Sequence, residues 1–255
     1  MESIYPILEY DPVPNAILNP QRPNCEPVES TRAVLCFFAD ILQESLEKGE
    51  LRMIGMLGSE IGNNPIYLQE NPQRPPVIVI QPGVGAPLAV GFLEEILTLG
   101  VNKVMVCGGC GVLKPEIKAG DALIPVEAVR DEGTSYHYLP PSRSVTASPQ
   151  AVQALESVCR AIGVSYRTTK TWTTDAFYRE TPAKRARRIE EGCEIVEMEA
   201  AALFALAQFR KVTLGQIVYG GDLVIPEGWD GRAWNHRRDA RRLLYEIALE
   251  AVRQC

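Results

Sequence analysis

The sequence predicts an α/β protein built on parallel strands with helices over both faces, and three observations carry that reading. Residues 77–80 (VIVI) and 104–107 (VMVC) are continuous apolar runs, the first wholly β-branched. Between them, residues 89–99 repeat their apolar positions at helical spacing and stop at Gly100. Strands without polar alternation, joined by a helical crossover, are the pattern of a parallel sheet covered on both sides. With 255 residues and 46% apolar content the chain can fill one substantial core, and α/β chains of this length commonly remain one domain.

The elements follow in order. The opening forty residues are punctuated by proline, and 15–18 (NAIL) reads as a short strand running into the Asn19-Pro20-Gln21-Arg22-Pro23 loop. From 31 to 48, Val34, Leu35, Phe38, Ile41, Leu42 and Leu46 recur at helical spacing with Gly49 as a stop, which predicts an amphipathic helix. Further strands are expected at 122–128, 168–172 and 211–219, and further helices at 149–162, 181–191 and 240–253. Residues 195–199 read as extended, which would put Glu197 and Glu199 on one face, and the following AAALFALAQF reads as a helix buried through Leu203, Leu206 and Ala207. No internal repeat, low-complexity tract or linker stands out.

Charge and cysteine usage exclude several classes. A net charge of -6 provides no broad basic field, so neither nucleic acid nor an anionic membrane is an expected partner. The local cluster Arg237-Arg238-Asp239-Ala240-Arg241-Arg242 reads as a solvated helix face. No apolar run approaches the ~20 residues of a membrane span, and the first residues lack the pattern of a secretory signal, so a cytoplasmic protein is expected. Seven scattered cysteines do not suggest a disulfide framework. Cys107-Gly108-Gly109-Cys110 is formally a C-x-x-C, but a zinc site would want a second pair or nearby histidines, and the chain has only His137 and His236. No metal is expected.

Chemistry concentrates where strands are expected to end. Gln81-Pro82-Gly83-Val84-Gly85-Ala86-Pro87 follows one strand and Gly108-Gly109-Cys110-Gly111 another, and ligands in open α/β sheets bind outside the carboxyl ends of strands. Glycines there let backbone amides approach an anion or a sugar, although tight turns alone would also use them. The segment 130–138 mixes charge, hydroxyls and aromatics and suits an interface or the rim of a polar pocket. Phe177 follows another strand and can either stack on a flat ring or pack in the core. Asp222, after Gly220-Gly221, is a carboxylate at a strand exit or a helix cap. Glu197 and Glu199 bracket Met198 beside an apolar helix, where carboxylates need partners; a helix start favouring acidic residues is the plain alternative.

Taken together, QPGVGAPLAVGFLEEILTLG, GGCGVLKPEIKAGDALIP, TTDAFY, VEMEAAALF and the GGD at 220–222 resemble the nucleoside phosphorylase and nucleosidase superfamily, from about Val77 to the C-terminal helix. The resemblance implies an α/β fold with three layers, α/β/α, as a single domain over 1–255 around a central mixed, largely parallel sheet. It implies cleavage of an N-glycosidic bond, without a cofactor and with inorganic phosphate as co-substrate in a phosphorylase. Glu199 would hold ribose hydroxyls, Met198 would pack beside the sugar, Glu197 would support the site, Asp222 would protonate a departing purine and Phe177 would lie along the base. Val84, Gly109, Cys110 and Gly111 of the glycine stretches would line the substrate. A homo-oligomer acting on a small-molecule nucleoside is implied as well.

The departures are informative. Uridine phosphorylases carry Gln-x-Arg after the TFY-like segment, whereas this chain reads Arg179-Glu180-Thr181-Pro182, which argues against a simple uridine enzyme. The arginine that phosphorolytic members place on the strand entering the second glycine stretch corresponds to Val106, with Gly109 where a hydroxyl residue often sits. Arg22 is then the candidate phosphate ligand, or else a structural arginine. The expected activity is phosphorolysis of a purine or related nucleoside. The alternatives are a hydrolytic nucleosidase using water, and a nucleoside-binding protein without catalysis.

Overall fold

The computed structural model describes residues 4–60 and 62–255. In chain order these form β1 (Asn24–Cys25), β2 (Arg32–Cys36), α1 (Ala39–Glu47), β3 (Arg52–Ser59), β4 (Gly62–Asn71), β5 (Arg74–Ile80), α2 (Ala86–Leu97), β6 (Lys103–Val112), β7 (Ala122–Asp131) and β8 (Ser144–Thr146). There follow α3 (Pro149–Ala161), β9 (Tyr166–Thr174), α4 (Pro182–Glu190), β10 (Cys193–Glu197), α5 (Ala200–Arg210), β11 (Thr213–Ile225), β12 (Gly228–Asp230) and α6 (Arg238–Gln254). Helices α2, α3 and α4 each carry proline in their first two positions, where its fixed φ suits a helix start and its missing N–H costs nothing.

All twelve strands belong to one mixed sheet, in the order β1-β3-β4-β5-β2-β6-β10-β9-β7-β11-β12 with β8 beside β7. The parallel pairings β5–β2, β2–β6, β6–β11, β10–β9 and β9–β7 form its centre, and the β1, β3, β4, β8 and β12 additions are antiparallel. Because β6 pairs with β11 as well as with β10, the strands β6-β10-β9-β7-β11 close on themselves as a ring. Val112 and Gly111 meet Ile195 and Val196 on one side, while Cys110 and Val112 meet Gly220 and Leu223 on the other.

Strand alternation sorts the core into two layers. Ala33, Leu35, Ile78, Ile80, Val104 and Val106 point to one face and pack under α2 and α5. Val34, Cys36, Val77, Val79, Met105 and Cys107 point to the other and pack under α1, α3 and α6. This is the three-layer α/β/α arrangement. Helix α5 is buried from Ala200 to Ala207, all around rather than on one stripe, as a helix with alanine and leucine on every face permits.

Several expectations are corrected. Residues 15–18 form no strand: Ile17 and Leu18 are exposed. The helix expected over 31–48 is β2 followed by α1; the run Ala33-Val34-Leu35-Cys36 fits helical spacing by accident and is buried between β5 and β6 as a parallel strand. The β3–β4 hairpin went unassigned because Gly55, Gly58, Asn63, Asn64 and Pro65 obscure its alternation. Residues 108–111 are not a loop but the second half of β6, and 220–222 lie within β11 rather than after it. The arginine cluster before and within α6 is a solvated face only in part: Arg238 stays exposed while pairing with Glu44, whereas Arg241 and Arg242 are drawn in to Asp40 and Glu50 in and after α1.

Candidate active site

The end of β10 and the start of α5 carry the two glutamates, and they divide the work. Extension stops at Glu197, so strand alternation does not pair them as expected; Met198 lies in a bend and Glu199 takes the residue before the helix. The Glu197 carboxylate turns back over the helix start. Its Oε2 accepts the N–H groups of Glu199 (2.8 Å) and Ala200 (2.7 Å), and its Oε1 accepts the hydroxyls of Thr173 (2.6 Å) and Thr171 (3.3 Å). It is thus a buried carboxyl cap on α5, raised in pKa by burial against these four donors, which lower it.

Glu199 faces elsewhere. Its Oε1 accepts the amide of Gly85 at 2.6 Å, across the gap to the loop after β5. Gly85 has φ 96, a conformation that favours glycine and turns that amide toward the carboxylate. Burial first, and the charge of Glu197 second, push the Glu199 carboxyl up to about 8, against the Gly85 and Met198 amides that lower it. Asp175, whose Oδ2 accepts the Gly133 N–H at 2.9 Å, raises it further.

Asp222 sits on β11 across β6 from this pair. A methyl group added at Gly111 would lie 2.9 Å from Val196 Cγ1 and 3.7 Å from Asp222 Oδ2, so the bare backbone of Gly111 separates the two strands here. The neighbouring Cys110 thiol is buried, donates to the Tyr219 carbonyl at 3.4 Å, and is pushed well up in pKa by burial, then by Glu197 and Asp222. Asp222 Oδ2 accepts the indole N–H of Trp229 at 2.7 Å, and Arg232 clamps the Gly221, Asp222 and Ile117 carbonyls around it. Trp229 was not singled out from the sequence, since one tryptophan in a polar turn carries no signal of its own.

Phe177 is 50% exposed and lies against Tyr178, 4.2 Å between ring centroids, on a short 3-10 turn that also carries Arg179. Val84 is 70% exposed at the tip of the first glycine loop. Gly109 lies on β6 against the Tyr219 ring. Met198 is half-buried between the two glutamates.

Arg22 is the outlier among the predicted residues. It is exposed and makes no hydrogen bond or ion pair among the described residues. It precedes the Asn24–Met56 pairing, toward the end of β3 whose neighbour Asn64 bonds the Gln81 carbonyl, so it enters at the edge that bears the first glycine loop. Three strand spacings, about 14 Å, separate β1 from β5, however. Val106, the expected counterpart of an arginine, is a buried core residue. The segment 130–138 is braced from within: Arg130 is buried, bonds Ser135, Ser142 and the Leu139 and Pro140 carbonyls, and lies over the Tyr136 ring.

The C-x-x-C reading has no geometry to support it. Cys107 and Cys110, three apart on one strand, point to opposite faces and belong to separate apolar clusters. Among the described residues no group of three or more His, Cys, Asp or Glu side chains could hold a metal ion, and no helix is long and apolar enough to cross a membrane.

The arrangement ties an acceptor, Glu199, to the first glycine loop, sets a carboxyl, Asp222, on the other neighbour of β6, and leaves the Phe177 ring exposed. Residues 59–249 match the family model described as the phosphorylase superfamily. The chain is 33% identical over 103 residues to uridine phosphorylase of Haemophilus influenzae, covering 40% of this chain and 41% of that one. It is 32% identical over 147 residues to guanosine phosphorylase of Halorubrum lacusprofundi, covering 56% and 59%. The matched stretches thus span less than two thirds of these relatives' own lengths. Among solved structures, purine nucleoside phosphorylase from Toxoplasma gondii in complex with immucillin-H superimposes with TM-score 0.75 at 23% identity, covering 89% of this chain and 91% of that chain. AMP nucleosidase from Bacteroides thetaiotaomicron does so with TM-score 0.70 at 22% identity, covering 88% and 87%. These two share the fold.

Proposed function

The chain belongs to the phosphorylase superfamily, and from that premise we propose that it cleaves the N-glycosidic bond of a nucleoside by phosphorolysis, releasing the base and a pentose 1-phosphate. The observation that carries this reading is a pair of carboxyls on the two neighbours of β6: Glu199 just after β10, tied to the glycine loop at Gly85, and Asp222 on β11 beside Gly111. Names among the relatives, uridine and guanosine phosphorylase, support the reaction class.

Heterolysis of the bond leaves a cationic, oxocarbenium-like sugar and an electron-rich base. Glu199, desolvated and fixed by Gly85, accepts hydroxyls of the sugar, and its charge returns as those donors arrive, stabilising the developing cation. Asp222 protonates the base as it departs, which suits a purine with an acceptor nitrogen on its far edge. Phe177 lies along the base and Met198 beside the sugar. Val84, Gly109, Cys110 and Gly111 line the bound nucleoside, and Glu197 acts only through the helix start that it holds. No cofactor is required, and inorganic phosphate is the co-substrate, received by the amides of Gly83 and Val84, since that of Gly85 is taken by Glu199. We take the working form to be a cytoplasmic homo-oligomer.

One observation favours hydrolysis as a second reading. Arg185 and Arg232, the arginines tied to the strands around Asp222, are committed to backbone carbonyls, and Arg22 lies strands away from the glycine loop. A panel of purine and pyrimidine nucleosides assayed with and without phosphate separates the two. Pentose 1-phosphate formed only with phosphate supports phosphorolysis; free pentose released at the same rate without phosphate overturns it.

A further inference from the structure

Trp229 is a large side chain left 67% exposed beside the proposed acid, and a hairpin is built to place it there. Strand β11 runs on past Asp222 and returns as β12, with Leu223, Val224 and Ile225 opposite Asp230, Trp229 and Gly228. This register brings the indole N–H back to Asp222 Oδ2 at 2.7 Å. Gly231 lies against the ring: a methyl group there would stand 2.9 Å from Trp229 Cη2, closer than packed carbons approach. The chain beyond is anchored. Arg232 and Ala233 take left-handed φ values of 42 and 50, unusual for residues with a side chain. Arg232 donates to the carbonyls of Gly221, Ile117 and Asp222, Arg237 to that of Arg232, and the Tyr219 hydroxyl to that of Trp234. The ring is thus held from both sides of the chain while its surface stays open to solvent.

Trp229 also stands opposite the point where the Phe177 turn is fastened. Val224, its partner in the β11–β12 register, accepts Arg185 Nε at 2.6 Å. Arg185 lies one turn into α4, whose cap Thr181 comes directly after Glu180 closes the Phe177–Arg179 turn. Two exposed aromatic rings, Phe177 and Trp229, are in this way brought to the end of β11. The charged groups nearby are engaged otherwise. The Arg232 guanidinium sits on carbonyls beside the Asp222 carboxyl and not on the carboxyl itself. Arg185 holds the Val224 and Leu113 carbonyls, and Glu180, pushed up to about 7 by burial and then by Asp222, donates its amide to the Phe177 carbonyl. Among the described residues, Trp229 is the one side chain that hydrogen-bonds the Asp222 carboxyl.

We propose that Trp229 is a base-binding and positioning residue: its indole N–H fixes Asp222 so that the acid proton sits on Oδ1, and its exposed ring is a stacking face for a purine. An indole N–H only donates, so Oδ2 must accept, and a proton carried by Asp222 is confined to Oδ1. In the step itself the C–N bonding electrons leave with the base and the Oδ1 proton forms the new N–H bond. Asp222 is left as a carboxylate whose charge the indole N–H stabilises, and water returns a proton to it once the base has gone. A flat heteroaromatic base stacks on an indole whatever its substituents, so the ring contributes affinity while Asp222 selects a base with an acceptor nitrogen. The positioning role rests on Asp222 being the acid of the proposed reaction; the stacking role does not.

Two measurements test it. With a purine nucleoside and phosphate, Trp229→Phe keeps a ring and loses the N–H, so kcat should fall about tenfold with KM nearly unchanged. Trp229→Leu loses the stacking face as well and should also raise KM roughly tenfold. Values of kcat and KM that match the parent's in both variants would overturn the proposal. The second measurement needs no turnover: tryptophan emission of the full chain titrated with hypoxanthine, its binding followed in parallel by equilibrium dialysis. Trp172 is buried, so quenching reports Trp229 and Trp234. Saturable quenching should be lost in Trp229→Phe and kept in Trp234→Phe. Binding with quenching retained in Trp229→Phe overturns the stacking role, as does no binding at all. Emission that changes with protein concentration and not with hypoxanthine would make the ring a contact between copies and overturn it too. If no nucleoside is cleaved, the proposed function fails, while the quenching still decides whether Trp229 meets the base.

Discussion

Glu199 Oε1 and the Gly85 amide meet at 2.6 Å, and this one bond ties the start of α5 to the glycine loop after β5. Glu199→Gln keeps an acceptor of the same shape but loses the charge offered to a cationic sugar. We expect kcat/KM to fall by roughly 10² to 10³, the range for removing one group that stabilises transition-state charge. Thermal unfolding should be unchanged or shifted upward. A variant that turns over like the parent would remove Glu199 from the sugar side.

Glu197 should behave differently, because it is saturated by the protein. Glu197→Ala strands the N–H groups of Glu199 and Ala200 and the hydroxyls of Thr171 and Thr173 in a buried setting. A loss of about 3 kcal/mol or more in unfolding free energy is expected from the missing cap and unmet donors. Chemical denaturation measures it, and a loss below about 1 kcal/mol would mean that water replaces the carboxylate.

The two raised carboxyls set a sign for pH dependence. Glu199 stands at about 8 and Glu180 at about 7, against an ordinary 4.5. Between 4.5 and these values the folded chain binds more protons than the unfolded one, so their contribution to stability is present at low pH and is lost as pH rises through 7 and 8. The unfolding free energy of the parent should therefore fall relative to Glu199→Gln from pH 6 to pH 8.5. A difference that does not vary with pH would show the Glu199 carboxyl to be unshifted.

Buried thiols give a third chemical readout. Burial raises Cys107, Cys110 and Cys193 in pKa, Cys193 to about 12. Thiolate is the reactive form, so native protein at pH 8 should leave all three unmodified by an alkylating reagent while denatured protein reacts fully. Mass spectrometry of the labelled peptides reads the result, and fast native labelling of Cys110 would mean that the mouth of the ring opens.

The sequence reveals the site unevenly, for physical reasons. Strands β5 and β6 and the helix between them were legible because parallel strands buried on both faces leave unbroken apolar runs. Glu197, Met198 and Glu199 stood out because two acids beside a wholly apolar helix are unusual. Their division of labour did not, since a carboxylate that caps a helix and one that faces a loop differ only in a bend at Met198. Glycines misled: those at 108–111 and 220–221 suggested turns, yet they serve strands that pass too close for a Cβ, as at Gly111 against Val196. The β2 segment was misread because four apolar residues in a row satisfy any period. Trp229 owes its interest entirely to the Asp222 carboxyl that β11 brings beside it, which no local pattern encodes.

The strand ring also has a consequence in time. Lys103 pairs with Thr213 and Gly111 with Val196, so β6 finds its two partners in the ring only after most of the chain has been made. Contacts of such sequence separation form late and slowly, because long loops must close before they are rewarded. Strands β10, which leads into Glu199, and β11, which carries Asp222, flank β6 only when that closure is complete. During refolding, catalytic competence should therefore return with the slowest conformational phase, whereas helix content, which needs no ring, should return before it.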